Sequence, residues 1–500
     1  MTLDEAASCL DRLRPRRRIV HCHGVFDLLH IGHIKHFQQA RRFGDILVVT
    51  VTPDRYVNKG PHRPVFNEIL RAEAVAALDC VDFVAVNRWP TAVETIAMLK
   101  PHFYAKGSEY KEAHKDVTGG IAREEAAVRA AGGKLVFTDE MVFSSTHLLN
   151  QHLSAFPQQT REFLGSFSRR HRIDEVLRPL REARSMKVLI LGEAIVDEYR
   201  YCEGIGKSSK EPTLVVKQLE SERFAGGVLA IANHMADFCR RVGLVSFLGT
   251  VNSHEDFIRA KLKDGVSPMF LYRQGAPTIL KCRYVDSYFF TKLLEVYEID
   301  DSLMPGADER RLCAVLKREL PKYDAVIVAD YGHGMLGDEA VDIICRKSRF
   351  LAVNAQSNAG NIGYHTIGRY PRADFACLTE AEVRMESRDR RGDIRRLLES
   401  LAKRLKFSKI IATRGKHGCL CYDVDEGFAA IPSFAGTVVD RIGAGDTFLA
   451  MASLCVAQKA GMEVAGFLGN AAAAQAVASV CNRSFISKAG LFKHVESLLK

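Results

Sequence analysis

Short apolar runs alternate with helix-like patterns from residue 19 to about residue 150. Ile46–Val51, Phe83–Val86 and Leu135–Thr138 read as strands, and Ile69–Leu78 repeats its apolar positions at helical spacing. Alternation of this kind predicts a parallel, doubly wound sheet with helices on both faces. Between Gln151 and Arg184 the periodicity weakens while Arg169, Arg170, Arg172, Arg178, Arg181 and Arg184 accumulate, so a partly helical linker is expected there. A second α/β pattern opens with Met186–Leu191 and continues through strands at Ala325–Ala329 and Ile410–Ala412. Two β-rich stretches interrupt it, Thr213–Leu219 and Thr278–Ile299, and these predict a small lid sheet. Val464–Val480 is Ala-rich and broken by Asn470 and Gln475, which suits a buried helix better than a membrane span. The expected fold class is therefore α/β throughout, with two unlike doubly wound domains, residues 1–152 and 186–500, joined by a linker at 153–185.

The chain's 500 residues allow more than one core. Lys and Arg number 70 against 60 Asp and Glu, a net charge of +10. Over such a length this is a mild bias that does not call for nucleic acid and permits anionic small substrates. The 13 cysteines are scattered with no CxxC pair, which fits neither a disulfide framework nor a zinc site. Residues 1–18 are charged and lack an apolar stretch, so no signal peptide is expected and a reducing cytoplasm is the default.

The first candidate site follows the strand that ends at Gly24. There Val25-Phe26-Asp27 leads into His30-Ile31-Gly32-His33, and Ile34, Phe37 and Ala40 continue at helical spacing. Two imidazoles three residues apart at a helix start share one face beside backbone amides that attract anions. A triphosphate fits that pattern, with Gly32 allowing close approach; surface polar residues or a metal pair are the other readings. The string Gly24 to His33 resembles the cytidylyltransferase-like nucleotidyltransferase superfamily, whose members join a nucleoside triphosphate to a phosphorylated acceptor and release pyrophosphate. Lys59-Gly60, Arg63-Pro64-Val65, Arg71, Lys106-Gly107-Ser108-Glu109-Tyr110 and Ser144-Ser145-Thr146 resemble successive motifs of its heptose-phosphate adenylyltransferase branch. The resemblance implies that His30 and His33 stabilise charge on the α- and β-phosphates. It also implies that Gly24, Phe26, Lys35, Lys106, Ser145 and Thr146 bind the nucleotide and that Asp27 places the acceptor. A turn residue is the other reading of Asp27 and a helix cap that of Ser145-Thr146, the functional reading being favoured for all three, while Lys35, Arg63 and Arg71 read as solvated charges. Class I aminoacyl-tRNA synthetases share the HIGH string, but this chain has no KMSKS-like segment.

The second candidate site is Asp440-Arg441-Ile442-Gly443-Ala444-Gly445-Asp446, followed by Phe448, Met451 and Cys455 at helical spacing. Small residues at a helix start offer backbone N–H groups to an anion, and an adjacent acid suits proton abstraction from an attacking hydroxyl. A capping Asp after a flexible turn is the plainer reading. The segment resembles the C-terminal signature of PfkB/ribokinase-type sugar kinases, and further matches precede it in order: Gly192 with Asp197, Gly226-Gly227, Asp330-Tyr331-Gly332, Thr379-Glu380-Ala381-Glu382, and Thr413-Arg414-Gly415 with Gly418. Asn470 fits the late helix. The resemblance implies that Asp446 is the general base, that Gly443, Ala444 and Gly445 stabilise the transferred phosphoryl group, and that Thr413, Gly415, Gly418 and Asn470 line the nucleotide. It further implies that Asp197, Gly226, Gly227 and Asp330 hold the sugar and that Glu382 organises Mg²⁺ through water. Departures fall on the expected sugar pocket: Ala230 with Asn233 offset, His333 where relatives carry Lys, and Val353-Asn354-Ala355-Gln356 where they carry Asp-Pro-Lys.

Taken together, the motifs resemble the bifunctional heptose 7-phosphate kinase/heptose 1-phosphate adenylyltransferase family with the domains in reversed order. This implies ATP as substrate, Mg²⁺ arriving with the nucleotide, a sugar phosphate as partner, neither nucleic acid nor membrane, and a homodimer formed through the kinase lid. Two alternatives stand beside it: a single active site with the other decayed, or a nucleotide- and sugar-responsive binding protein. ATP or CTP at the transferase site is open.

Overall fold

The computed structural model describes residues 1–57, 64–107, 120–138, 156–302 and 304–499. Its contacts divide into two compact units, residues 1–168 with 489–500, and residues 169–488.

The first unit holds five parallel strands, β1 (Ile19–Gly24), β2 (Ile46–Val51), β3 (Phe83–Val86), β4 (Phe103–Gly107) and β5 (Lys134–Thr138), in the order β3-β2-β1-β4-β5. The inner strands β1 and β2 are buried along most of their length because both faces of the sheet are covered there, and the edge strands β3 and β5 are half-buried. Val20, Cys22, Leu47, Val49, Val51 and Phe37 form the core on one side. The order reverses between β1 and β4, and in open parallel sheets ligands bind beyond the strand ends at such a reversal. Arg71 is not the solvated charge expected: its side chain is fully buried, donating to the carbonyls of Phe66, Val25 and Thr52 and pairing with Asp54.

The second unit is built on a nine-stranded sheet, ordered β10-β9-β6-β13-β14-β15-β16-β17-β18. In chain order its strands are β6 (Lys187–Gly192), β9 (Arg241–Val251), β10 (Val266–Pro277), β13 (Ala325–Asp330), β14 (Leu351–Ala355), β15 (Phe375–Thr379), β16 (Lys409–Thr413), β17 (Cys419–Asp423) and β18 (Gly427–Ile431). The last two pair antiparallel and the others are parallel. A separate four-stranded sheet, β12-β11-β7-β8, forms the lid from β7 (Ala194–Lys207), β8 (Leu214–Gly227), β11 (Ile279–Asp286) and β12 (Lys292–Glu298). The Ala-rich segment is the helix Met462–Ala476, and no helix among the described residues is long and apolar enough to cross a membrane.

The stretch expected as a linker is ordered differently. Gln158–Arg170 and Ile173–Glu182 are helices, and Val176, Leu177 and Leu180 of the second are fully buried. Its arginines occupy one face and leave an apolar stripe on the other, so residues 169–185 join the second unit's core instead of bridging two domains. The final helix, Lys488–Leu499, groups with the first unit.

Candidate functional site

In the first unit, β1 ends at Gly24 and the chain turns through Phe26 and Leu28, both at positive φ (49° and 52°), before the helix Ile31–Arg41 begins. That strained turn is a feature that active sites retain. A Cβ on Gly24 would lie 2.9 Å from the Phe26 ring, so glycine lets the ring fold back over the strand end. Phe26 then packs edge-on against Phe37 and His33, with centroids 4.9 and 5.6 Å apart. His30 caps the helix by accepting from the Gly32 amide through Nδ1 (3.1 Å), and its ring stacks on that of His33 with centroids 4.0 Å apart. The two imidazoles thus share one face at the helix N-terminus, at the sheet's order reversal.

Asp27 is buried and accepts from the amides of Val65 (3.0 Å) and Phe66 (3.3 Å), pinning the chain that leads to the helix Glu68–Ala76. Lys106 pairs with Glu124 at 3.0 Å, and its ammonium lies over the Tyr104 ring. Lys35 is exposed. Ser145, Thr146, Arg63, Lys59-Gly60 and Ser108 to Tyr110 lie outside the described residues. Sequence reasoning passed over His21 and His23, which hydrogen-bond Thr50 within the strands. Burial pushes His21 down to about 3 and His23 well below its usual range, so both are neutral.

In the second unit, the helix Ala444–Ala457 starts after Gly443, whose φ is 83°. A Cβ there would meet Asn482 Oδ1 at 2.2 Å, whereas one on Gly445 would meet nothing within 4 Å. Gly443 is thus required by the turn, and Gly445 leaves open space before the first-turn amides. Tyr331, just beyond β13, donates its hydroxyl to Asp446 Oδ1 at 2.7 Å. Lost hydration pushes the Asp446 carboxyl up to about 7; the Tyr331 bond opposes the rise, the charge of Asp197 adds to it, and Lys281 opposes it. A carboxylate poised near neutrality is matched to general-base work.

Asp197 projects from the lid strand β7 and pairs with Arg283 of β11 at 2.5 Å. A Cβ on Gly226 would lie 1.9 Å from Asp197 Oδ2, and one on Gly227 would lie 2.6 Å from the Glu193 carbonyl, so the glycine pair makes room for both. Glu193 accepts from the amides of Tyr331 (3.0 Å) and His333 (3.1 Å) and is pushed up to about 7 by burial and by Asp330. It lies one residue past the Gly192 that the motif matched, and the sequence offered no other signal for it. Asp330 turns away from this group: its carboxylate meets Tyr370 (2.6 Å), Arg369 (3.0 Å) and His365 (3.3 Å).

The other expected residues are placed as follows. Thr413 donates to the Leu378 carbonyl, and Gly415 and Gly418 take positive φ in the β16–β17 turn. The Asn470 amide lies against Cys419 Sγ and the Ile431 carbonyl. Both Glu382 oxygens accept backbone amides: one from Thr379 (2.7 Å), closing the capping box of the helix Glu380–Glu386, and one from Ser357 (3.0 Å) in a distant segment. Asn233 is spent on the backbone at Lys261 and Lys263.

Asp440, which opens the glycine-rich loop, is fully buried and joins that loop to the lid. It accepts from Tyr199 Oη (2.5 Å), Lys292 Nζ (2.6 Å) and the amides of Cys481 and Ile442. Tyr199 lies on β7 and Lys292 opens β12.

Comparison with known proteins finds a family match in each of the two segments. Residues 21–150 match the family model described as cytidylyltransferase-like, and residues 341–487 match that of the pfkB family carbohydrate kinases. The chain joins a cytidylyltransferase-like segment to a pfkB-type segment. Their order is the one the motifs predict. Curated relatives include the bifunctional protein HldE of Pelobacter propionicus, 44% identical over 121 residues (24% of this chain, 23% of that protein). The protein of the same name from Citrifermentans bemidjiense is 37% identical over 160 residues, 31% of each chain. The chain thus spans about a quarter to a third of the length of these relatives. Among solved structures, the tetrameric inhibited form of phosphofructokinase-2 from Escherichia coli superposes with a TM-score of 0.51 at 12% identity, over 63% of this chain and all of that one. This likeness is one of fold: a ribokinase-like α/β domain with a β lid.

Proposed function

We propose that the chain is a two-site enzyme that phosphorylates a sugar phosphate with MgATP and couples a sugar 1-phosphate to a nucleotide, yielding an NDP-sugar, with ADP-heptose as the product. The observation that carries this reading is Asp446 itself: a carboxyl poised near neutrality, held by Tyr331 at a glycine-led helix start under a lid that brings Asp197. The relatives named bifunctional HldE support the pairing with a nucleotidyltransferase and the choice of a heptose.

In the kinase step Asp446 takes the proton from an acceptor hydroxyl as its oxygen attacks the γ-phosphorus. The bond to the β-phosphate oxygen breaks, and the first-turn amides near Gly443, Ala444 and Gly445 meet the charge on the transferred group. Asp197 and Gly226-Gly227 hold the sugar. In the transferase step the sugar 1-phosphate oxygen attacks the α-phosphorus of ATP and pyrophosphate leaves, with His30 and His33 stabilising the developing charge; no protein nucleophile takes part. Magnesium enters as part of MgATP. Its ligands would be phosphate oxygens and water, with Glu382 acting at most through water. The 13 free cysteines suit work in a reducing cytoplasm, and exposed Leu214, Leu219, Leu294 and Val296 suit a homodimer formed through the lid.

The test incubates the chain with MgATP and candidate heptose phosphates and detects phosphorylated and nucleotidylated products by mass. Asp446→Asn is expected to stop only phosphorylation and His33→Ala only pyrophosphate release. Loss of both reactions in either variant refutes the assignment of separate sites.

A further inference from the structure

The inner face of the lid carries a charge that the mechanism above does not use. In register across the lid, Lys281 of β11 pairs with Asp197 of β7 and Tyr297 of β12, and two residues on Arg283 pairs with Tyr199 and Glu295. Neighbours in register and alternate residues of a strand share a face, so these side chains line one surface. Arg283 is fully engaged, by Asp197 on one side and Glu295 on the other.

Lys281 is not. It is only 8% exposed, yet its ammonium donates no hydrogen bond and forms no ion pair among the described residues. It rests over the rings of Tyr297 and Tyr331, 5.1 and 6.0 Å from their centroids. The carboxylates whose charge it feels each have other donors: Asp197 has Arg283, Asp446 has Tyr331, and Glu193 has two backbone amides. Burial pulls the ammonium below its usual range while Asp197, Glu193 and Asp446 draw it back up. The ammonium nitrogen keeps some access to solvent while its stem is buried and ring faces lie against it, so an anion entering from the cleft can complete its coordination. The ring of Tyr331 near it belongs to the residue whose hydroxyl holds the base, and Lys281 and Asp446 are close enough for each charge to act on the other.

We propose that Lys281 is the cationic ligand of a phosphate-binding subsite beside Asp446, delivered to it by the lid. This rests on the kinase reading for its catalytic meaning. Two phosphoryl groups have the required chemistry, the one in transit from ATP and the one already carried by a sugar phosphate.

The kinetic arm compares the full chain with Lys281→Met and Lys281→Arg, using MgATP with a heptose phosphate and with the corresponding free heptose. If the group in transit is bound, Lys281→Met lowers kcat by roughly 10²-fold with both acceptors and leaves each KM within about threefold, and Lys281→Arg recovers most of the loss. If the acceptor's own phosphate is bound, the KM for heptose phosphate rises by roughly 10- to 100-fold while the free heptose is used unchanged. Either pattern supports the subsite. Values within twofold of the parent on every parameter overturn it.

A second arm needs no variant and no turnover. Crystals of the parent chain grown with arsenate are expected to show an anomalous arsenic peak with an oxygen in hydrogen-bond range of Lys281 Nζ. No peak in the cleft, or a peak without Lys281 among its ligands, overturns the proposal. A parent chain that makes no ADP with any sugar phosphate would instead refute the kinase reading, and the arsenate result would still decide the subsite.

Discussion

Replacing Asp446 with Asn should abolish phosphorylation and at the same time stabilise the second unit at alkaline pH. The carboxyl is pushed from its ordinary 3.8 to about 7 in the fold, chiefly by lost hydration. Ionising it is therefore harder in the native state than in the unfolded chain. The native state pays nothing for this below pH 4, a growing amount between pH 4 and 7, and the full amount above 7. The full rise converts to about 4 kcal/mol, and the water access that remains at this half-buried residue reduces it to about 1–3 kcal/mol. Asn keeps an oxygen to accept from Tyr331 Oη and carries no charge, so it should recover that amount. At roughly 2–4 °C per kcal/mol or somewhat less for a unit of this size, melting at pH 8 should rise by several degrees. Calorimetry of parent and variant at pH 8, 6 and 4.5 measures the gap, which should shrink steadily on acidification. A variant no more stable than the parent at pH 8, or a gap that widens toward pH 4.5, would refute the claim that Asp446 is held against its preference for ionisation.

Three further outcomes follow from named contacts. Tyr331→Phe removes the hydrogen bond that favours the ionised Asp446, so the acid limb of kcat/KM for phosphorylation should move from near 7 to higher pH by about one unit or more; an unmoved limb would mean that Asp446 is not the base. Gly226→Ala drives a Cβ into Asp197 Oδ2, and the acceptor KM should rise roughly 10-fold or more with the MgATP KM little changed, as initial-rate kinetics can measure. Arg71→Met strips three carbonyls and Asp54 of a fully buried donor, and chemical denaturation should show the first unit less stable by about 3–5 kcal/mol while phosphorylation kinetics hold steady.

Legibility from sequence depended on how local each signal was. Ile46–Val51 lies inside the parallel sheet with both faces covered and stands out as an apolar run, and the shorter, half-buried edge strand Phe83–Val86 carries the same apolar pattern; both match the strands observed. Of the lid strands, the first half of β8 and all of β11 and β12 fall within the β-rich stretches expected, whereas β7 went unread, and contiguous motifs marked His30, His33 and Gly443 to Asp446. The helix Ile173–Glu182 was harder to see, because its arginines dominate the composition while Val176, Leu177 and Leu180 carry the buried stripe. Contacts assembled from distant segments left no such mark. Tyr331 reaches Asp446 across 115 positions, and Lys281 acquires its place only through register with Asp197. Arg71 looked like any surface charge until the fold wrapped three carbonyls around it.

The Asp440 junction makes the cover of the second unit and its chemistry a single mechanical element. Lifting β7 and β12 away would break the bonds from Tyr199 and Lys292 together, leaving a buried anion with only two amides to answer it. The peptide segment bearing the base would lose its two side-chain ties to the lid in the same movement that admitted solvent. One carboxylate thus couples the position of the cover to the loop that leads into the base's helix, so the two cannot be varied independently.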